Sequence, residues 1–367
     1  MVYEGARGII PQYLSFLGAA ALLIGSVSGL GDFIGYVIRL LSGFIADTTR
    51  AYWVLIFLGY TLIVALPLLS LPTGLALAVA LILLERLGKG LRQPPRDTIL
   101  SVVSKEVGSG KTFGLHEFLD QMGALVGPLF VAGVIYYTGS NYHLAFGSLF
   151  IPFLLVLLTL AFVYGRTHTK LEVNPTRAKA TTKDLDRPFY VYTVAVTLNA
   201  LGLIPYALIL YEVSLHAQAW VAPLDYVLIQ GVDAVSALGS GHAYDKLGLR
   251  FLTLAFALSV FTPLLVVFNT GLPMLIAASI LFGAVQGMQD SIYRAAVSDL
   301  TIAPSRGIAY GIFNTSLGLG LLISGIVFGA MISYHLPLTV VLSYAIVLQA
   351  GSIVTMWRVR KRQSRAL

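Results

Sequence analysis

Cysteine is absent from the 367-residue chain. Its absence removes disulfides, thiolate metal sites and cysteine nucleophiles together. Charge is scarce too: Asp, Glu, Lys and Arg make up 11% of the residues, where a soluble domain carries about 25%. Such a chain cannot cover a water-facing globule, which excludes an ordinary cytosolic enzyme, a disordered chain and a nucleic-acid-binding domain. The six His are scattered without metal spacing, and neither H-E-x-x-H nor G-x-S-x-G occurs. Gly108-Ser-Gly110-Lys111-Thr112 looks like the end of a phosphate-binding loop, but Lys105 stands where its first Gly belongs and no strand precedes it. No catalytic constellation remains, so the chain is not read as an enzyme.

Apolar residues, in contrast, reach 57%, with 36 Gly. A bilayer core about 30 Å thick needs roughly 20 apolar residues per helix. Such runs fall near 1–17, 21–45, 51–72, 74–93, 112–137 and 142–165, then near 189–213, 221–243, 251–269, 272–293, 308–333 and 337–357. They are long and unbroken rather than alternating, which excludes the strands of a membrane barrel. The expected fold class is therefore an all-α integral membrane protein with twelve transmembrane helices.

Charge placement sets the expected topology. Connections after odd-numbered spans carry no Lys or Arg. Even ones carry Arg50, Lys105 and Lys111, the linker residues Arg166, Lys170, Arg177, Lys179, Lys183 and Arg187, then Lys246, Arg250, Arg294 and Arg306. The tail adds Arg358, Arg360, Lys361, Arg362 and Arg365. Basic residues stay in the cytoplasm, so even loops and both termini are expected there, in a multi-pass protein of the plasma (cytoplasmic) membrane. The net charge of +7 is then a cytoplasmic-face excess and not a nucleic-acid footprint.

The chain also repeats itself. Gly43 and Asp47 end span 2, and Gly241 and Asp245 end span 8, each pair 198 residues apart. Arg96 and Arg294 share that offset, while Gly114 and Gly123 are answered by Gly311 and Gly320 at 197. Two six-helix halves of the same orientation follow: a bundle over 1–165, a linker over 166–188, a bundle over 189–357 and a basic tail over 358–367. Parallel repeats of this kind point to a transporter with its site between the halves. Span 7 opens near Phe189, so the same offset would start span 1 about nine residues before Met1. The first helix is thus expected to lack about a third of a full span, either because Met1 is not the natural start or because the chain is trimmed.

At these positions the chain resembles the major facilitator superfamily. Gly43-Phe-Ile-Ala-Asp47-Thr-Thr-Arg50 is similar to that superfamily's loop 2–3 signature, and Gly241-His-Ala-Tyr-Asp245-Lys246-Leu-Gly248-Leu-Arg250 is closer still. Arg86 and Gly90 match an R-x-x-x-G signature. Gly114, Gly123 and Gly127-Pro128 resemble a motif of the antiporter branches, with Val131-Ala132 in place of its closing Gly pair. The resemblance implies alternating access of two bundles and no cofactor. Independently, Gly43 and Gly241 are expected at close helix approaches. Asp47 and Asp245 are expected to latch the inner face onto a basic residue or a helix N-terminus, and Pro128 to bend span 5.

Ionisable residues inside spans are costly there and form the functional shortlist. Span 1 holds Glu4 and Arg7 on one face, able to pair with each other; span 2 holds Asp32, Tyr36 and Arg39. Span 4 holds Glu85, Arg86, Lys89 and Arg92, and span 5 answers with His116, Glu117 and Asp120. Arg86 and Lys89 lie at depths similar to Glu117 and Asp120, which makes either a structural pairing or a proton-coupling role available to those two acids. The second half offers Asp233, Gln286, Gln289 and Asp290, with Asn314 a further polar candidate. Glu212 and Asp225 lie near outer span ends and are expected to be solvated. The expected function is a secondary transporter, proton-coupled in export or exchange, with a small solute, protons and the bilayer as partners and a monomeric state. The alternatives are a uniporter or importer, a lipid-moving member, or a receptor or scaffold that has lost transport.

Overall fold

The computed structural model describes residues 1–71, 74–107, 109–167, 185–268, 270–302 and 305–363, with the side chains of 103–114 and 360–363 left aside. Lys105, Lys111, the linker bases Lys170, Arg177, Lys179 and Lys183, and the tail bases Arg360, Lys361, Arg362 and Arg365 therefore lie outside the described side chains. Among the described residues the chain is helix and turn, without strands. That is the solution for apolar runs in lipid, where each backbone N–H and C=O must be bonded within its own segment.

The first eight helices are α1 (Val2–Arg7), α2 (Ile10–Phe16), α3 (Ala21–Thr49), α4 (Tyr52–Thr61), α5 (Leu75–Val107), α6 (Ser109–Tyr137), α7 (Tyr142–Ser148) and α8 (Phe150–Thr167). The second eight are α9 (Arg187–Leu201), α10 (Tyr206–His216), α11 (Val221–Leu247), α12 (Leu252–Ser259), α13 (Phe261–Val267), α14 (Leu272–Asp299), α15 (Arg306–Ser333) and α16 (Leu338–Gln363). Nine helical stretches among the described residues are long and apolar enough to cross a membrane. The other three expected spans are helical but differ for physical reasons. The stretch containing α1 and α2 is short, α5 carries four charges over Glu85–Arg92, and α12 with α13 form a shorter apolar stretch, Leu252–Val267.

The chain divides into two compact units, Met1–Gly18 with Ile34–Arg177 and Ala19–Phe33 with Ala178–Leu367. Within the second, the first half of α3 crosses α15 at glycines. A Cβ on Gly25 would overlap the Gly325 carbonyl, and one on Gly29 would stand 2.7 Å from the Leu321 carbonyl oxygen. Leu22 N–H donates to Ser333 Oγ at 2.8 Å beside this crossing. Two further glycine crossings recur at nearly the repeat offset, one in each unit. A Cβ on Gly90 would stand 2.7 Å from Ile38 Cβ in the first unit. One on Gly287, 197 residues later, would stand 2.8 Å from the Ala237 backbone nitrogen in the second.

Helix breaks are supported by side chains from neighbouring helices. Between α9 and α10 the segment Gly202–Pro205 leaves carbonyls without helical partners. Gln349 Nε2 donates to Asn199 O at 3.1 Å, Tyr344 to Leu201 O at 3.1 Å and Ser324 to Leu203 O at 2.5 Å. In the first unit Tyr13 donates to Leu69 O at 3.3 Å beside Pro67–Ser70, a 3-10 turn. The helix α6 runs through Pro128 without a break.

Candidate functional site

In the first unit, α1 and α5 bring basic heads onto one aromatic ring. Lys89 Nζ lies 3.8 Å from the Tyr3 ring centroid, Arg86 Cζ 5.0 Å and Arg7 Cζ 5.6 Å. Arg86 also donates to the Tyr3 hydroxyl. On α3, Arg39 lies over the Tyr36 ring at 5.1 Å. Glu4 and Arg7 form the expected pair, 3.8 Å apart and each 17% exposed. The aromatic faces partly offset the mutual repulsion of these cations, because a ring quadrupole attracts positive charge. Arg7, Arg39 and Lys89 are partly exposed, whereas Arg86 is buried.

Next to this cluster lies a separate ion pair. Arg92 Nη2 donates to Glu85 Oε1 at 3.1 Å, and its Nη1 donates to Gly59 O at 3.1 Å. The guanidinium sits 5.3 Å over the Tyr60 ring, and both Glu85 and Arg92 are buried. Seven residues apart on one helix, they were individually visible in the sequence, but their spacing was the unused signal for a pair.

The expected facing of Arg86 and Lys89 toward Glu117 and Asp120 gives way to a different arrangement. The basic pair faces Tyr3, while Glu117 and Asp120 occupy the exposed side of α6, where Gln121 Nε2 donates to Glu117 at 3.3 Å. The α6 glycines instead seat α1. A Cβ on Gly127 would stand 2.9 Å from Gly5 N, and one on Gly123 the same distance from Met1 N. Both positions need glycine because backbone meets backbone there. Gly43 and Gly241 do not: an added Cβ would meet Pro94 Cβ at 3.6 Å and Ser291 Oγ at 3.4 Å. Their expected role in close approach is corrected accordingly.

At the helix ends that carry the repeated signature, Asp47 accepts from the hydroxyl of Tyr52, the first residue of α4, at 3.0 Å. Asp245 is exposed, and its neighbour Tyr244 donates to Asp299 at 2.8 Å. Arg50 and Gly248, 198 residues apart, both have φ 58. Arg50 thus occupies a left-handed position that its counterpart fills with glycine. Arg250 is exposed. Arg96 pairs with Asp97 at 2.8 Å, and Arg294 Nε donates weakly to Asp290 O at 3.4 Å. Arg96 and His116 also line a cavity of about 520 Å³ among α4, α5, α6 and α8, walled mainly by apolar side chains such as Trp53, Ile56 and Leu160.

The second unit is built around neutral hydrogen bonds. Asn199 on α9 is fully buried and joins four helices. Its Nδ2 donates to Ser259 at 3.1 Å and to Gln349 Oε1 at 2.6 Å. Its Oδ1 accepts from Gln289 and from Tyr293, both at 2.8 Å. Asp233 is buried and accepts from Gln286 Nε2 at 3.1 Å. Asp290 is exposed, while Asp32 and Asn314 are partly exposed. Asp225 corrects the expectation of a solvated end: it is 4% exposed and accepts from Ser279 Oγ at 2.6 Å, with Oδ1 lacking a partner. Glu212 is partly buried. The hub residue Gln349 escaped the sequence reading, although a lone amide within an apolar span was a usable signal.

Comparison with known proteins agrees with this architecture. The Major Facilitator Superfamily model matches residues 1–268 and 234–366. An uncharacterized protein of Mycobacterium tuberculosis is 34% identical over 369 residues, covering 98% of this chain and 90% of that protein. An uncharacterized MFS-type transporter of Methanocaldococcus jannaschii is 29% identical over 343 residues, covering 90% and 84%. The structure of the peptide transporter POT in complex with sulfate superposes with a TM-score of 0.73 at 15% identity, covering 99% and 92% of the two chains. That of the nucleoside transporter NupG gives 0.69 at 14%, covering 98% and 95%. At such identities the structural likeness concerns the fold, and the family rests on the model matched along the whole chain. The chain, a multi-pass helical membrane protein, belongs to the Major Facilitator Superfamily of transporters.

Proposed function

We propose that the protein is a secondary active transporter that moves a small solute by alternating access of bundles 1–165 and 189–357. In this reading it exports or exchanges its solute against protons, as a monomer without a cofactor. It works in the cytoplasmic membrane with both termini inside. The observation that carries the proposal is the set of ionisable and amide side chains held within spans of a transporter-family chain: the basic heads around Tyr3, and the Asn199 and Asp233 networks. A chain with no transport role has no use for their insertion cost. Glu4, Asp32, Glu117, Asp120, Asp233 and Asp290 are the acidic coupling candidates carried from the sequence, and buried Asp225 joins them. The repeated signature residues at the helix ends serve the conformational cycle.

The test is reconstitution into liposomes with an imposed pH gradient and a panel of anionic, neutral and cationic solutes. Gradient-driven flux of at least one solute is expected, and Asp225→Asn or Asp233→Asn should uncouple it while leaving solute exchange intact. Flux indifferent to the gradient would remove proton coupling. A second reading, movement of a lipid or other amphiphile, draws on the largely apolar cavity between α4 and α8. It predicts transbilayer movement of a fluorescent phospholipid by the same proteoliposomes.

A further inference from the structure

We infer that the solute is a small organic cation, and that a cavity at the close of α10, α13 and α15 holds its ammonium head against Glu212. The inference rests on the transport reading and names its substrate class. The cavity, about 460 Å³, lies wholly within the second unit and also takes in the start of α3. That volume falls in the range of small-molecule pockets, about 300–1,000 Å³. Leu215, Val266 and Met331 supply apolar wall, while Tyr211, Glu212 and His335 supply polar wall. Neither Lys nor Arg lines it. Among the described residues of this unit, basic side chains stand at the other helix ends: Arg187 opens α9, Arg250 precedes α12 and Arg306 opens α15. From Arg306 to Ser333, α15 runs about 40 Å at about 1.5 Å per residue, too far for Arg306 to neutralise Glu212.

Backbone geometry favours the same sign of charge. Three of the helix ends at the cavity are C-terminal, and their last carbonyls carry negative partial charge. The fourth, the start of α3, has its Leu22 N–H engaged on Ser333 Oγ at 2.8 Å. The helix α15 closes with His335 N–H donating to Ile332 O at 3.1 Å and Leu336 N–H to Met331 O at 2.9 Å. Such a closing turn places one residue in the left-handed region, where glycine is the usual occupant. Here that residue is His335, at φ 49. A bulky side chain kept against its backbone preference points to a role, and this one lines the cavity. A neutral imidazole nitrogen accepts an N–H as a carboxylate does, and an aromatic ring such as that of Tyr211 attracts a cation. His216, one turn beyond Glu212, is turned back onto the Glu212 carbonyl at 2.9 Å. An anionic solute would meet the Glu212 carboxylate and the carbonyl ends, and is disfavoured.

The experiment is a calorimetric titration of the full chain in detergent, at constant ionic strength and about pH 8, above the ordinary titration range of imidazole. The probes are butylammonium and benzylammonium, with butanol and butyrate as neutral and anionic controls. The expected result is saturable binding of at least one amine, with both controls at least about tenfold weaker. Glu212→Gln should weaken amine binding about tenfold or more. His335→Gly should weaken it about threefold or more yet melt no lower than the parent, because the left-handed backbone is relieved. His242→Gln, exposed on α11, should leave binding unchanged. Unaltered size-exclusion profiles and melting show that Glu212→Gln is folded. No saturable amine binding, a control bound as tightly as the amines, or amine affinity unmoved by Glu212→Gln overturns the proposal. Liposome flux of an anionic or neutral solute without amine binding would overturn the cation assignment and leave transport standing. Amine binding lost in Glu212→Gln, with no flux of any solute, would instead overturn the transport reading.

Discussion

The buried pair Glu85–Arg92 gives the sharpest stability prediction. Glu85 is 2% exposed and Arg92 7% by side chain, at 3.1 Å. Replacing Glu85 by Ala leaves the guanidinium buried, with Gly59 O and the Tyr60 face as its remaining recorded partners. Stranding one partner of a buried pair costs about 3–5 kcal/mol, and little water is at hand to compensate. For a cooperative unit of this size that corresponds to a fall in Tm on the order of 10 °C. The double variant Glu85→Leu with Arg92→Met removes both charges and substitutes apolar volume, so it should recover to within about 1 kcal/mol of the parent. The assay is thermal unfolding of detergent-purified protein followed by intrinsic fluorescence and by size-exclusion recovery after heating. A single variant as stable as the parent, or a double variant no better than the single, would refute the reasoning.

Other outcomes follow from local geometry. Gly25→Ala places a methyl into the Gly325 carbonyl and should cost about 1–3 kcal/mol. Gly43→Ala has room beside Pro94 and should be neutral or stabilising by about 0.5–1 kcal/mol, both read as shifts in melting. Arg50→Gly relieves a positive-φ backbone and should stabilise by about 1 kcal/mol, whereas Gly248→Ala, at φ 58 and ψ −148 where essentially only glycine fits, should cost about 1–3 kcal/mol. Asn199→Leu strips the hub from Gln289, Tyr293, Ser259 and Gln349 and should cost at least about 2–3 kcal/mol in denaturant or heat.

The architecture was legible in the sequence because hydrophobic run length is a direct consequence of bilayer thickness. Charge scarcity, the 198-residue repeat and the doubled signature led to the family that the whole-chain match then established. The candidate site was legible only by residue type. The sequence lists Arg86, Lys89, Glu117 and Asp120 at comparable depths, yet helix rotation decides which of them meet. The rotation of α5 turns Arg86 and Lys89 onto Tyr3, while Glu117 and Asp120 face outward from α6. Asp225 was misread because distance along a helix says nothing of the neighbour that covers it, here Ser279 on α14. Likewise Gly43 belongs to a recognisable signature but has space around it, while Gly25 and Gly127, outside or only loosely within a signature, are where backbones touch. Glycine's packing role depends on the partner helix, which one chain segment does not encode.

The most direct test of the central claim is solute-dependent proton movement in proteoliposomes loaded with a pH-sensitive dye. Adding a transported solute outside should change the internal pH, and the change should saturate with solute concentration. Asp225→Asn or Asp233→Asn should abolish it while leaving solute exchange intact. An internal pH that tracks protein-free liposomes for every solute, alongside measurable solute flux, would contradict proton-coupled transport; the absence of any flux would contradict transport itself.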